Sequence, residues 1–331
     1  MQLIGVFHFL EKSKQQRMKI KTFYLFIIFI FSVGCQSSTV KHEPYTDTLT
    51  MGEITILADE SYKPMVQVQI DTFMEIYKYA KINVKYLPES ELFNELMNND
   101  TIRIAITARE LNLNEKNFFE NQKIIPRTLK IAQDAIALVV NKENSDTLIT
   151  YEQLEKIIKG EVVTWNQLKA GGIKDSIRIV FDKNGSTNAR FLNDKFLSGK
   201  KFPPNIFATN SNSSVIEYVN SNKGSLGVIG VNWISDNDDS LTVAFLKKIN
   251  VVALSLPDTN KAQIEFYKPY QAYIALKKYP LLRNVMIISR EGRNGLGTGF
   301  ASFVAGDKGQ RMIRLMGLLP ATMPIRIIQV N

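Results

Sequence analysis

The sequence predicts an α/β fold, on three observations. Short runs of β-type residues alternate with segments whose apolar residues repeat at helical spacing, the pattern of a sheet covered by helices. One apolar run, Ala135–Val140, is unbroken, as in a strand buried on both faces. The chain has 331 residues, enough for one large domain or two of medium size.

Along the chain, Ile54–Leu57 reads as the first strand, followed by a helix with Val66, Ile70, Phe73 and Tyr77 on one face. Ile82–Tyr86 is the next strand, then a helix carrying Leu92, Phe93, Leu96 and Met97, then strand Arg103–Thr107. Beyond Ala135–Val140, Thr150 and Gln153 make a capping box, in which each side chain accepts from the other's backbone N–H. Leu154, Ile157 and Ile158 form that helix's apolar stripe, and Gly160 ends it. Ile177–Phe181, Leu226–Val231 and Val285–Ile288 read as further strands. Ser214 with Glu217 suggests a second capping box. Asp307 suggests a cap for a last helix that stops at Gly317. No internal repeat of fixed period is present.

Composition narrows the chemistry. Hydrophobic residues at 45% and charged residues at 22% fit a globular protein and exclude disordered or coiled-coil classes. The formal charge of +9 overstates the basic character of the globular part. Lys12, Lys14, Arg17, Lys19 and Lys21 against Glu11 put +4 of it in the first 35 residues. No dense basic run follows, so no nucleic-acid partner is expected, while the remaining +5 mildly favours anionic ligands. A single cysteine, Cys35, excludes an intramolecular disulfide and a cysteine zinc cluster. His8 and His42 both lie near the N-terminus, so the globular part has no Ser-His-Asp or Cys-His arrangement. No catalytic residue, metal site or cofactor is expected, and the protein is read as not an enzyme.

The N-terminus has the layout of an export signal. Arg17, Lys19 and Lys21 precede the apolar run Phe23–Phe31, which is too short for a bilayer span of roughly 20 residues. Ser32-Val33-Gly34-Cys35 follows and resembles a bacterial lipobox. That resemblance implies cleavage before Cys35 and lipidation of Cys35. Met18 is an alternative start. The expected layout is a signal peptide over 1–34, then the lipidated cysteine and a flexible polar tether over 35–51.

Four stretches, Ile131–Asn141, Leu148–Leu154 with Gly160–Trp165, Tyr279–Arg283, and Gly309-Gln310 with Gly317–Pro320, together and in this order resemble the periplasmic phosphate-binding proteins of ABC transporters. Ile131-Ala132-Gln133-Asp134-Ala135-Ile136-Ala137-Leu138-Val139-Val140-Asn141 is similar to that family's crossing strand. Leu148–Leu154 with Gly160–Trp165 is similar to its "LT-x-x-QL … G-x-x-x-x-W" segment. Tyr279-Pro280-Leu281-Leu282-Arg283 resembles the returning crossover, and Gly309-Gln310 with Gly317-Leu318-Leu319-Pro320 the closing segment. The resemblance implies a type II periplasmic binding protein: two lobes, two crossover strands and a ligand cleft between them. The expected lobes are 52–137 with 281–331, and 138–280. Also implied are a monomer, a phosphate ligand, an ABC transporter permease as partner, and an exported position at the periplasm or cell surface.

A desolvated oxyanion needs many donors, which hydroxyls and backbone amides at helix starts supply. Three strand-to-helix turns have that chemistry. At Ser61-Tyr62 the family binds ligand through a hydroxyl and the next amide; N-capping by Ser61 is the other reading, and both can hold. At Thr107-Ala108-Arg109, Arg109 offers bidentate bonds to an oxyanion or forms a surface ion pair with Glu110 or Glu60. The third turn, Asn184-Gly185-Ser186-Thr187-Asn188-Ala189-Arg190, is similar to a family loop that wraps the ligand. Ser186 matches that loop's serine, while Thr187 and Asn188 replace its glycine and threonine. Asp182 stands where the family has an arginine, and Arg190 either restores the lost charge or is an exposed helix residue. Ser90 matches a hydroxyl turn, flanked here by Glu89 and Glu91, which are expected to support the helix start. The candidate ligand-binding residues are thus Ser61, Tyr62, Ser90, Thr107, Arg109, Asp182, Gly185, Ser186, Thr187, Asn188 and Arg190. The acids keep open a different oxyanion or small ligand, and the same fold as a lipoprotein sensor or adhesin without transport.

Overall fold

The apolar runs do form strands, and the strands set the architecture. The computed structural model describes residues 47–169, 173–236, 238–257 and 264–323. The leader, Cys35, both histidines and the tether up to residue 46 lie outside the described residues.

In chain order, β1 (Gly52–Asp59) passes through a 3-10 turn at Glu60–Tyr62 into α1 (Lys63–Ile76). Pro64 sits in the first turn of α1, where a missing N–H leaves no helical bond unmade. Next come β2 (Ala80–Leu87), α2 (Glu89–Asn98), β3 (Ile104–Thr107), α3 (Leu113–Asn121) and the long β4 (Arg127–Asn141). After it follow β5 (Leu148–Ile149), α4 (Tyr151–Ile158), β6 (Arg178–Phe181), α5 (Thr187–Leu192), β7 (Ile206–Ala208), α6 (Asn212–Ser221) and β8 (Ser225–Gly230). The chain ends through α7 (Ser240–Lys248), β9 (Ile249–Val251), β10 (Ala253–Ser255), β11 (Phe266–Tyr267), α8 (Gln271–Ala275), β12 (Leu282–Ser289), α9 (Leu296–Ala305), α10 (Asp307–Leu315) and β13 (Leu319–Pro320).

Among the described residues the main sheet has the order β2-β1-β3-β12-β4-β8-β6-β7. β1 lies parallel between β2 and β3, and β6 lies parallel between β7 and β8. β4 belongs to both groups. Its Arg127–Ala135 part pairs antiparallel with β12, and its Ile136–Val140 part pairs antiparallel with β8. The result is two α/β lobes, with β4 and the segment entering β12 crossing between them. At the crossing the Tyr279 hydroxyl donates to the Ile136 carbonyl at 2.8 Å.

The alternation of side chains explains why both faces of the first lobe's sheet are covered. Ile54, Ile56 and Ala58 pack with Met65, Val66, Ile70 and Phe73 of α1. Leu57 points the other way, to Leu92, Phe93 and Leu96 of α2 and Phe119 of α3.

Some local expectations shift. The capping box at Thr150 and Gln153 forms in full. The cap of α6 is Ser211, not Ser214: the Ser211 hydroxyl accepts from the Ser214 N–H, and Glu217 pairs instead with Lys248. The helix begins one turn earlier because Ser211 is the residue with extended backbone. Asp307 is likewise inside α10 rather than capping it, and pairs with Arg311 one turn on. No helix among the described residues is long and apolar enough to cross a membrane.

Candidate ligand-binding cleft

The turns after β1, β6 and β8 face one another across the lobes, and the side chains on them interlock. Asp182 follows β6 and is 1% exposed. It accepts from Ser186 Oγ at 2.6 Å and Asn212 Nδ2 at 3.2 Å in its own lobe, and from Ser61 Oγ at 3.3 Å in the other. The carboxylate therefore ties the lobes together. Ser186 is also the cap of α5, accepting from the Ala189 N–H. Ser61 is not a cap: Asp59 caps its turn, accepting from the Ser61 N–H at 2.8 Å. Asn188 is buried, donating to Asn212 Oδ1 at 3.2 Å and accepting from Arg283 at 2.6 Å.

Two further acids join this centre. Glu60 accepts from Asn212 Nδ2 at 2.5 Å. Thr187 Oγ1 lies 2.5 Å from an Asp59 oxygen and 2.8 Å from a Glu89 oxygen. A hydroxyl has one proton, so with both carboxylates ionised it satisfies only one of them. Protonated Asp59 removes the conflict by donating to Thr187. Burial above all, with the Asp182 charge nearby, pushes Asp59 up to about 6, against the bonds from Thr187 and Ser61. Burial and then Asp182 push Glu60 up to about 7. Burial also raises Asp182, against the hydrogen bond from Ser186.

Glu89 corrects the expectation that it merely supports a helix start. It is buried, and accepts from Arg109 Nε at 3.0 Å and from both Nε and Nη2 of Arg190. Arg109 pairs with neither Glu110 nor Glu60 as ion partners. Its two terminal nitrogens bind Glu115 at 2.7 and 2.8 Å, and it stacks on Phe93, 3.6 Å from the ring centroid. Arg190 also reaches Asp194. Glu91 stays at the surface near Lys183.

Ser90 and Gly185 form the rim, both exposed, with the Ser90 N–H donating to the Gly185 carbonyl at 3.2 Å. A Cβ on Gly185 would come within 2.2 Å of Ser90 Oγ, and its φ of +71° is one that L side chains rarely adopt. Thr107 and Tyr62 are fully buried, and their hydroxyls have no hydrogen-bond partner among the described residues. Tyr62 lies under Arg283, 4.9 Å from guanidinium to ring centroid.

Arg283 and Asp134 were part of the recognised motifs but carried no assigned role. Arg283 pairs with Asp134 at 2.7 Å, linking the two crossover segments. Burial opposes its charge, but Tyr62, Asp134 and Asp59 hold it above its ordinary value. Asn232 and Trp233, after β8, both donate to the Ser61 carbonyl, at 2.7 and 3.0 Å. Asp59, Glu60 and Asn212 lay outside the expected set; the signal for them was their position at strand ends and helix starts. Among the described residues no group of three or more His, Cys, Asp or Glu is placed to hold a metal ion.

A domain model described as a PBP superfamily domain matches residues 43–308. The phosphate-binding protein PstS of Staphylococcus aureus is 24% identical over 252 residues, 75% of this chain and 72% of the relative. The PstS of Staphylococcus epidermidis is 24% identical over 251 residues, with the same two coverages. A crystal structure of a phosphate ABC transporter substrate-binding protein from Clostridium perfringens, described as putative and with bound phosphate, superposes with a TM-score of 0.66 at 19% identity, covering 82% of this chain and all of that one. An ABC-type phosphate transport receptor from Vibrio cholerae gives 0.59 at 24% identity, covering 81% of this chain and all of that one.

Proposed function

Since this chain belongs to the PBP superfamily, we propose that it is an extracytoplasmic solute-binding lipoprotein that takes inorganic phosphate into the interlobe cleft for an ABC transporter permease. The observation that carries the reading is the convergence of Ser61, Ser186, Thr187, Arg109 and Arg190 from both lobes at one place. Named relatives being phosphate-binding proteins supports the ligand.

The acids specify the form of ligand. Asp182, Asp59 and Glu60 repel a bare anion but accept from one that carries protons. Phosphate at neutral pH bears one or two O–H groups, whereas sulfate bears none. Trp233 bonds across the lobes, while Trp165 is enclosed in the second lobe and donates to the Gly224 carbonyl. A fluorescence change on ligand entry into the cleft therefore reports on Trp233. Phosphate is expected to change the emission and sulfate to leave it unaltered; equal responses, or none, would reject the assignment.

One observation favours a second reading. With Asp182 where the family has arginine, a small ligand bearing N–H donors suits the same carboxylates. Saturable binding of an ammonium-bearing solute together with silence toward phosphate would replace the first reading by this one.

The lipid on Cys35 is proposed from the lipobox. A labelled fatty-acid precursor should mark the wild-type chain and not Cys35→Ser; equal labelling would exclude it.

A further inference from the structure

Glu89 receives what an oxyanion receptor offers its ligand. Its carboxylate, with 2% of the side chain exposed, meets Arg109 from its own lobe and Arg190 and Thr187 from the other. Charge-assisted bonds from guanidinium groups are the strong ones, and here they arrive from both sides of the cleft. Each arginine is held from behind, Arg109 by Glu115 and Phe93, and Arg190 by Asp194. The donors are thus set around the carboxylate by contacts that do not depend on it.

We infer that Arg109, Arg190 and Thr187 form an interlobe anion subsite of carboxylate-binding chemistry, and that Glu89 fills it as a tethered ligand. The tether matters because an anion on the same chain competes at high effective concentration with any anion from solution. Glu89 therefore determines specificity. It holds the lobes together through this subsite, and it excludes free carboxylates and weakens free oxyanions that reach for the same arginines. The inference rests on the proposed reading of the cleft as an oxyanion receptor, but its first test does not use phosphate.

The experiment compares the full mature chain with Glu89→Ala, each checked for folding by circular dichroism, with Glu89→Gln as the isosteric control. Small-angle scattering and Trp233 emission follow lobe opening in a buffer without oxyanions, then with sodium acetate or formate added. The wild type is expected to be closed and indifferent to acetate. Glu89→Ala is expected to open, with a larger radius of gyration, and to close again as acetate fills the vacated place. Glu89→Gln keeps the shape but not the charge, and is expected to open as well. Phosphate affinity in Glu89→Ala should rise about tenfold or more over wild type, the size of change that removing a charged competitor brings. If both variants scatter as the wild type does, or if acetate fails to reclose an opened Glu89→Ala, the tethered-anion inference is wrong. If acetate recloses the variant but phosphate binds neither protein, the inference stands and the phosphate assignment falls.

Discussion

Around Asp59 one hydroxyl faces two carboxylates, and the local chemistry favours a proton on Asp59. A carboxyl raised from 3.8 to about 6 by folding holds its proton more tightly in the native state. In the window between those values the folded protein binds more protons than the unfolded chain, so stability falls as pH rises through it. The full shift corresponds to about 3 kcal/mol for this group. Glu60, raised to about 7, extends the slope upward in pH. Melting temperature should therefore drop between about pH 4 and about pH 7 in the wild type, and drop less in Asp59→Asn, whose side chain stays neutral. Identical slopes would show that Asp59 is ionised throughout. None of this was visible in the sequence, because the shift depends first on burial and then on the charges of Asp182 and Glu89, and those residues are far away in the chain. What was legible was the set of hydroxyls: Ser61, Ser186 and Thr187 were singled out and do come together. Their bonds in this structure go to Asp182, Asp59 and Glu89, and only the folded geometry could assign those partners.

At the scale of elements, helix starts carry much of the information, and their legibility was uneven. Thr150 with Gln153 was readable because both halves of the box lie within one turn. Ser214 with Glu217 fitted the same pattern and lost to Ser211, three residues earlier, since a run of Ser211, Asn212, Ser213 and Ser214 offers several caps at once. Backbone conformation decides among them, and only Ser211 is extended. Ser211→Ala should cost about 1 kcal/mol of unfolding free energy in a denaturant titration, the usual worth of a cap. Ser214→Ala should cost less than half of that. A larger loss at Ser214 would move the cap. The crossing strand β4 was underestimated for a related reason. The part recognised as crossing strand, Ile131–Asn141, is buried apart from Gln133, while Arg127–Lys130 is exposed and joins the strand only where β12 lies beside it.

For the molecule as a whole, the order of strands places every candidate residue. Two parallel groups, each with helices over its faces, are tied by β4 and by the segment into β12, and the ligand side of such a sheet lies beyond the strand ends. Those ends supply Asp59, Thr107, Asp182 and Gly230, all within or beside the cleft. The two-lobed fold was legible from four motifs in order, because a shared backbone path preserves apolar strands and their turns. The ligand was less legible, because the bonds of a single residue such as Asp182 depend on partners in both lobes. A cleft that combines two arginines with buried acids should prefer an oxyanion that arrives with protons. Isothermal titration of the wild-type mature chain with phosphate, near pH 6 and again near pH 8, tests this most directly, since Asp59 and Glu60 change charge across that interval. The account predicts saturable binding at both, several-fold tighter near pH 6, where phosphate carries a second proton to donate and the acids repel it less. Absence of heat at either pH, or binding that tightens toward pH 8, would contradict it.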